Sequence, residues 1–394
     1  MFIENKKLYY LTRSYYPYQK GGGPLMRTGA VKYLKELGWN VVVVMPNYSS
    51  KEFIIKEDII QIPLNYNLKL ASYLERIGIY EDYFDKWVKS AFEFLKDKIQ
   101  KEDILFATSG GELGTIKLGS LLKEKLDCKF VINFRDPIDY SLVNGLKLDN
   151  KFHISREKQE QKYLKNSDLI ITSSKSNQIS LQNKYPKLKI VNNYFGYIKN
   201  IDLSKYKIRS SNKLRIAYAG NMGNLQKPEI LFEIYEKLNF SDDIELYFIG
   251  NIQINKTLLK IQKSNYKNIT FIEFLPHNEF LTFMIENIDI GFVSLTNDYL
   301  GACVPSKIYE YINLALPMIG ALPDGDGKNI INQNNYGIAY KYDEIELLAE
   351  TIEKFLNRNY LDTIKQNILR DKNNWAMKEK IKEVDKYLKV LNAD

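Results

Sequence analysis

Apolar and polar positions along the chain fall into two successive series of short apolar runs separated by amphipathic stretches. In the first, Lys7–Thr12 (KLYYLT) predicts a strand, a glycine turn follows, and Pro24–Leu37 predicts a helix that Gly38 ends. Val41–Met45 is apolar with no polar alternation, the pattern of a strand covered on both faces in a parallel sheet. Ile104–Ala107, Phe130–Phe134, Leu169–Thr172 and Lys189–Val191 predict further strands with helical periodicity between them. One of these helical stretches is a long, aromatic-rich helix over Leu68–Lys98. Its Trp87, Phe92 and Phe94 read either as core or as a membrane-facing stripe.

Between Tyr197 and Lys213 the periodicity lapses into a polar, basic stretch that reads as an interdomain linker. The pattern then restarts with strands at Leu214–Ala219, Glu245–Ile249, Ile269–Phe271, Ile290–Ser294 and Pro317–Ala321. A helix opens near Ser306, and a charged amphipathic helix covers Ala376–Leu391. Two such series predict an α/β chain with two doubly wound, Rossmann-like domains. The expected boundaries are 1–200, 201–375 and a final helix, 376–394, packing back toward the first domain.

Length agrees, since 394 residues exceed one ordinary core. A content of 45% hydrophobic and 26% charged residues is that of a globular protein. Cys128 and Cys303 offer no disulfide framework and fit a reducing compartment. Met1–Leu11 has charges within its apolar run and does not read as a signal peptide. No uncharged apolar stretch reaches the length of a membrane span, so a cytoplasmic location is expected. Charge is unevenly divided: residues 1–200 hold 32 Lys+Arg against 22 Asp+Glu, and the rest 24 against 26. The basic half reads either as solvated surface lysine or as a face for an anionic membrane or a phosphate-bearing acceptor. Nucleic acid is not expected as a partner, because no basic helix, zinc knuckle or RNP-like aromatic motif accompanies the charge.

Several chemistries are missing. No G-x-G-x-x-G follows the first strand, and Gly325-Asp-Gly-Lys328 lacks the spacing of a P-loop. His153 and His277, the only histidines, stand in no metal-ligand or triad pattern, so no metal site is expected. Three features remain. Lys20-Gly-Gly-Gly-Pro-Leu-Met-Arg27 follows the first strand and opens a helix, so its amides can approach an anion, or it is a plain flexible turn. Ala219-Gly-Asn-Met-Gly-Asn-Leu-Gln-Lys227 holds the equivalent place in the second series. In Val304-Pro-Ser-Lys-Ile-Tyr-Glu310-Tyr, Ser306 is a candidate N-cap. The amides of Ser306, Lys307 and Ile308 with the Lys307 ammonium suit a diphosphate, and Glu310 suits the hydroxyls of a ribose. The alternative is an ordinary capped helix.

In five ordered segments the sequence resembles the GT-B-fold, retaining glycosyltransferases of family four. These are Gly21–Gly23, Asn133–Pro137, Tyr218–Gly223, Phe274–Pro276 through Ile288–Gly291, and Pro305–Tyr311 with Pro317. The resemblance implies a GT-B fold, two Rossmann-like domains facing across a cleft, and transfer from a UDP-linked nucleotide sugar with retention. The acceptor would be a glycan or a lipid-linked glycan in lipopolysaccharide, capsule or other glycoconjugate synthesis. No cofactor or metal is implied, and the protein would be cytoplasmic, peripheral on the inner face of the plasma membrane. Gly22, Gly23, Gly220, Asn221, Gly223 and Lys227 would lie about the donor diphosphate. Leu275 and Pro276 would pack on the base, Ser306, Lys307 and Ile308 would hold the diphosphate, and Glu310 the ribose. Arg135, Asp136 and Lys307 are the expected catalytic residues, and Arg27, Gly110, Gly111 and Glu112 the expected acceptor site. The chain departs from the pattern at Ala302, where the family often carries a first glutamate, and lacks the N-terminal-domain histidine. Two rival readings are a nucleotide-sugar epimerase of the same architecture and a non-catalytic nucleotide-sugar-binding partner in a polysaccharide-synthesis complex.

Overall fold

The structure, a computed structural model, describes residues 6–138 and 151–393. The chain divides into two compact units, one made of the chain up to Ile198 together with Met377 onward, the other of Lys199–Ala376.

The first unit runs β1 (Lys7–Leu11), α1 (Gly22–Glu36), β2 (Asn40–Asn47), β3 (Ile54–Ile55), β4 (Ile59–Pro63), α2 (Leu68–Arg76), α3 (Asp85–Leu95), β5 (Ile104–Gly110), α4 (Gly114–Leu126), β6 (Lys129–Asp136), α5 (Lys151–Leu164), β7 (Leu169–Thr172), α6 (Lys175–Lys184) and β8 (Ile190–Asn192). The eight strands lie in the order β3-β4-β2-β1-β5-β6-β7-β8. All pairings are parallel except β3 with β4. β1 is central, with β2 on one side and β5 on the other, so the topological switch falls beside it. Because side chains alternate along each strand, the continuous apolar strands feed two cores. Tyr9, Leu11, Val42, Val44, Leu105 and Ile132 pack with Trp87, Val88 and Leu95 on one face. Leu8, Tyr10, Val41, Val43, Phe106 and Val131 pack with α1 on the other.

The long helix expected over Leu68–Lys98 is instead two. α2 ends before Gly78, whose φ of 80° lies in the left-handed region, and the chain turns at Asp82. The Asp82 carboxylate accepts from the amides of Phe84, at 2.9 Å, and Leu113, at 2.8 Å. Trp87 is fully buried and Phe92 and Phe94 pack against the core, so the aromatic stripe is interior. Strands β3 and β4 were not expected from the pattern.

The second unit runs β9 (Leu214–Ala219), α7 (Ile230–Lys237), β10 (Ile244–Ile249), α8 (Lys256–Lys263), β11 (Ile269–Ile272), α9 (His277–Asn287), β12 (Ile290–Ser294), α10 (Ser306–Asn313), β13 (Met318–Ala321), α11 (Asp326–Gln333), β14 (Gly337–Tyr340), α12 (Ile345–Phe355) and α13 (Arg358–Asp371). Its six strands, in the order β11-β10-β9-β12-β13-β14, are all parallel. Here β9 is the central strand, and the switch falls between β9 and β12. Of these elements the pattern did not predict α11, β14, α12 or α13.

The last helix, α14 (Met377–Ala393), belongs to the first unit. Met377, Ile381, Val384, Leu388 and Leu391 join the core beside α1. Trp39 Nε1 donates to Asp385 at 2.8 Å, and the Met377 amide donates to the Tyr197 carbonyl at 2.8 Å. Among the described residues no helix is long and apolar enough to cross a membrane, and neither cysteine is in a disulfide.

Candidate functional site

In the second unit the switch brings the end of β9 beside the start of α10. β9 leads into Gly220, whose φ of 117° is one that L side chains rarely adopt. Its amide donates to the Ile249 carbonyl at 2.9 Å, which ties the loop to β10. Pro305 occupies the N-cap position of α10, and no side chain caps that end. Ser306 is therefore the first helical residue and not the cap expected from the sequence. The Ile308 amide already donates to the Pro305 carbonyl at 3.0 Å, so the amides of Ser306 and Lys307 are the ones left for a ligand. Ile308 contributes a fully buried side chain instead.

Lys307 folds toward the glycine loop. Its ammonium lies 3.8 Å from the centroid of the Tyr218 ring, and its Cε would be 2.9 Å from a Cβ placed on Gly220. Lys307 makes no ion pair among the described residues. Burial therefore pushes its ammonium down to about 7, with the Glu310 carboxylate pulling the other way. Glu310 follows one turn later. Burial raises its carboxyl above the ordinary range, against the pull of His277 and Lys307. The electrostatic reach of His277 places the start of α9 near Glu310. Just before that helix Leu275 is half-buried, Pro276 is exposed in the N-cap position, and Phe274 is 80% exposed.

Other expected donor residues line the same loop. Asn221 is exposed, its carbonyl accepting from the Tyr218 hydroxyl. Gly223 gives its carbonyl to the amides of Gln226 and Lys227. The Lys227 ammonium is directed to Glu233 at 3.5 Å, so its charge is already engaged. Ala302, at which the chain departs from the pattern it resembles, is buried at the end of a 3-10 turn, Asp298–Ala302. Gly327, next after the Asp324–Asp326 segment, lies against the start of α10: a Cβ there would be 3.3 Å from Pro305 and 3.4 Å from Ile308.

The first unit assembles its own charged group where β1, β5 and β6 end. Arg27, on α1, is 2% exposed. It donates from Nη1 to Ser14 Oγ at 2.8 Å and from Nη2 to Glu112 at 3.4 Å. Glu112 also accepts from the Gly110 amide at 2.8 Å and pairs with Arg13 at 3.3 Å. Burial and the neighbouring arginines lower the Arg27 guanidinium to about 10 in spite of Glu112. Arg135 donates to the Gly23 carbonyl at 3.2 Å and lies over the Phe195 ring at 5.2 Å. Asp136 ends β6, its Oδ2 lying 3.5 Å from where a Cβ on Gly110 would stand. Gly22, exposed, opens α1, and Gly111, with a φ of 96°, links Gly110 to Glu112.

Within each unit, then, the expected residues do converge, except that Lys227 is turned to Glu233 and Ile308 has no amide to give. Sequence reasoning missed Tyr218, the platform under Lys307, and Arg13, which shares Glu112 with Arg27. Arg13 stands two residues beyond the end of β1, much as Arg135 stands at the end of β6, and that position was the available signal. Among the described residues no group of three or more His, Cys, Asp or Glu is placed to hold a metal ion.

No protein-family model and no curated protein matches the chain. Solved structures do. Sucrose-phosphate synthase from Thermosynechococcus elongatus is 13% identical, with 99% of this chain and 100% of that one covered and a TM-score of 0.74. The α,α-trehalose 6-phosphate synthase from Burkholderia multivorans is 9% identical over 98% and 96% of the two chains, with a TM-score of 0.72. Anabaena HepE, solved with UDP, is 13% identical over 98% and 100%, with a TM-score of 0.69. Likeness at such low identity is a likeness of fold, and it shows that this chain has the GT-B fold class of two Rossmann-like α/β units.

Proposed function

We propose that the protein is a glycosyltransferase of the family-four type. It would move a sugar from a UDP-linked donor to a glycan or lipid-linked acceptor, with retention at the anomeric carbon. The observation that carries this reading is the convergence of Gly220, the uncapped start of α10, Lys307 on Tyr218, and Glu310 one turn on. A leaving nucleoside diphosphate gathers negative charge as the glycosidic bond breaks. Fixed amides and a desolvated ammonium aimed at that charge stabilise the transition state without reorganising. Glu310 as a carboxylate accepts from ribose hydroxyls, and Leu275, Pro276 and the exposed Phe274 offer the base an apolar surface. Lys307 and the helix amides supply positive charge to the diphosphate, so metal-independent transfer is proposed. HepE, of like fold, has been solved with UDP-glucose as well as UDP.

Assignment to surface-polysaccharide synthesis at the inner face of the plasma membrane rests on the basic first half. It rests also on α2 and the turn after it, which expose Leu70, Tyr73, Ile77 and Ile79 beside Lys69 and Arg76. Flotation with anionic but not neutral vesicles tests this placement. Ala302 favours a second reading, a nucleotide-sugar-binding partner without transfer. Acceptor-dependent release of UDP separates the readings: transfer requires it, an epimerase consumes donor without acceptor, and a binding partner releases nothing. UDP binding without any turnover across a panel of nucleotide sugars and acceptors would sink the transferase.

A further inference from the structure

The helix that begins beside the glycine loop of the second unit also holds the two stretches by which the chain enters and leaves that unit. Entry falls between Ile198 and Lys199, and exit between Ala376 and Met377. Just inside the entry, Lys199–Ile201 runs past Asn313, the last residue of α10. Asn313 is 5% exposed, and both ends of its amide are spent on this one stretch. Its Nδ2 donates to the Lys199 carbonyl at 2.9 Å, and its Oδ1 accepts from the Ile201 amide at 3.3 Å. The Ile201 carbonyl in turn accepts from the buried Lys372 ammonium at 2.8 Å. Just before the exit, the ring of Trp375 lies 5.9 Å from that of Tyr309, again on α10. Trp375 is fixed from its other side by Nε1, which donates to the Tyr336 hydroxyl at 3.0 Å.

α10 has eight residues, a length of about 12 Å at the rise of an α-helix. So short a helix forms and frays as one unit, because its nucleus is costly and few bonds repay it. No side chain caps its start, and the Lys307 ammonium there is desolvated. One turn on, the Glu310 carbonyl accepts from the Leu314 amide at 2.9 Å, next to Asn313. An anion on the amides of Ser306 and Lys307 supplies the missing cap, and in two turns what steadies the first steadies the second.

We propose that α10 couples the nucleotide site to the entry of the chain, with Asn313 as the positioning residue that carries the coupling. A diphosphate on the start of the helix firms the grip of Asn313 on Lys199–Ile201, and a firm grip tightens the diphosphate. The identity of the ligand rests on the donor reading above; the effect at the far end of the helix goes beyond it. Such an effect is reciprocal, so one factor describes both directions.

The test is hydrogen exchange at single backbone amides of the full chain, with and without saturating UDP. The Ile201 amide reports the grip of Asn313. The Arg209 amide, further along the same linker and bonded to the Glu286 carbonyl of α9 at 2.9 Å, is the control. UDP should slow exchange at Ile201 about tenfold and leave Arg209 within about twofold. In Asn313→Ala, Ile201 should exchange fast with or without UDP. UDP affinity should then fall by the factor by which UDP slowed Ile201 in the wild type. Alanine is the better helix former, so that fall cannot come from the propensity of α10 itself. A merely structural Asn313 would leave UDP affinity unmoved, since it stands about 9 Å along the helix from Lys307. Asn313→Asp keeps an acceptor for Ile201 but cannot donate to Lys199, and should show the same loss in smaller measure. It decides the matter, with the wild-type comparison of Ile201 and Arg209, should Asn313→Ala not fold. Equal slowing of the two amides, no slowing of either, or wild-type UDP affinity in the variants overturns the proposal. If the wild type binds no UDP, the donor reading fails instead. Inorganic pyrophosphate, which needs only the helix amides and Lys307, then takes its place: slowing confined to Ile201 sustains the coupling, and its absence ends it.

Discussion

The ammonium of Lys307 rests 3.8 Å from the centroid of the Tyr218 ring, at the point where the central strand of the second sheet gives way to a glycine. A cation over an aromatic face is attracted by the ring quadrupole, yet it has lost most of its water. Burial therefore brings its pKa down to about 7.

A proton should accordingly accompany the nucleotide. Above pH 7 Lys307 is largely neutral in the ligand-free protein, and a bound diphosphate restores its charge. Binding of UDP at pH 8 should take up nearly one proton, and at pH 6 almost none. Affinity should fall by at most about tenfold per pH unit between pH 7 and 9. Calorimetry in buffers of different ionisation enthalpy measures the uptake; an equal uptake in Lys307→Met would refute the assignment to this lysine. The same shift has a sign for stability. The folded state holds this proton less tightly than the unfolded chain does, so the ligand-free second unit should gain stability as pH rises from about 7 toward the ordinary lysine value of 10.5.

Glu310 is raised by burial, so its charge is costly to the empty protein. Glu310→Gln should leave thermal stability unchanged or raise it. It should also weaken UDP binding by about 1.5–3 kcal/mol, the range for a charge-assisted hydrogen bond. Side-by-side melting and binding curves check both halves, and wild-type affinity in the variant would remove Glu310 from the ribose.

Replacing Gly220 by Ala forces an L side chain into a φ of 117° and pushes on Lys307 Cε, 2.9 Å from the new methyl. A loss of about 1–3 kcal/mol in stability is expected from the backbone alone. UDP affinity should drop as well, because the lysine must shift. Melting temperature and nucleotide binding report the two effects separately, and an unperturbed pair would contradict the packing described.

Leu388 is fully buried on α14 against the first unit's core. Leu388→Ala should cost about 2–5 kcal/mol, the range for truncating a buried leucine. Asp385→Ala leaves the buried Trp39 Nε1 without its acceptor and should cost about 1–3 kcal/mol. Denaturant melts followed by tryptophan fluorescence check both.

Much of this architecture was legible in the chain. The unbroken apolar run Val41–Met45, and Leu214–Ala219, interrupted only by Arg215, read as buried strands, and β7, β9 and β12 fall where their runs predicted. Strands β3 and β4 were invisible because Lys56, Glu57, Asp58 and Gln61 break up the apolar positions of Ile54–Pro63: β3 is a two-residue edge strand, and β4, though buried, holds the polar Gln61 inside. The Leu68–Lys98 break was hidden because Gly78 and Asp82 interrupt a periodicity that resumes in phase enough to look continuous. At the sites, the nearness of Gly220 to Lys307 was implied by the family resemblance and not by spacing. The occupation of the Ile308 amide and the turn of Lys227 toward Glu233 depend on local hydrogen bonding and ion pairing that spacing does not encode. Tyr218 was missed because a strand tyrosine reads as core until something is found lying on it.

The return of the chain from Ala376 into the first unit has a consequence for the order in which the protein is made. On the ribosome, residues 199–376 emerge while the first sheet still lacks the helix that covers one of its faces, and only Met377 onward supplies it. The second unit is thus an insertion that can complete itself early, whereas the first waits, with an apolar groove beside α1 open, until the end of α14 has left the tunnel. Damage to the last seventeen residues of helix is therefore not damage to a tail: it strands the half of the molecule that was begun first.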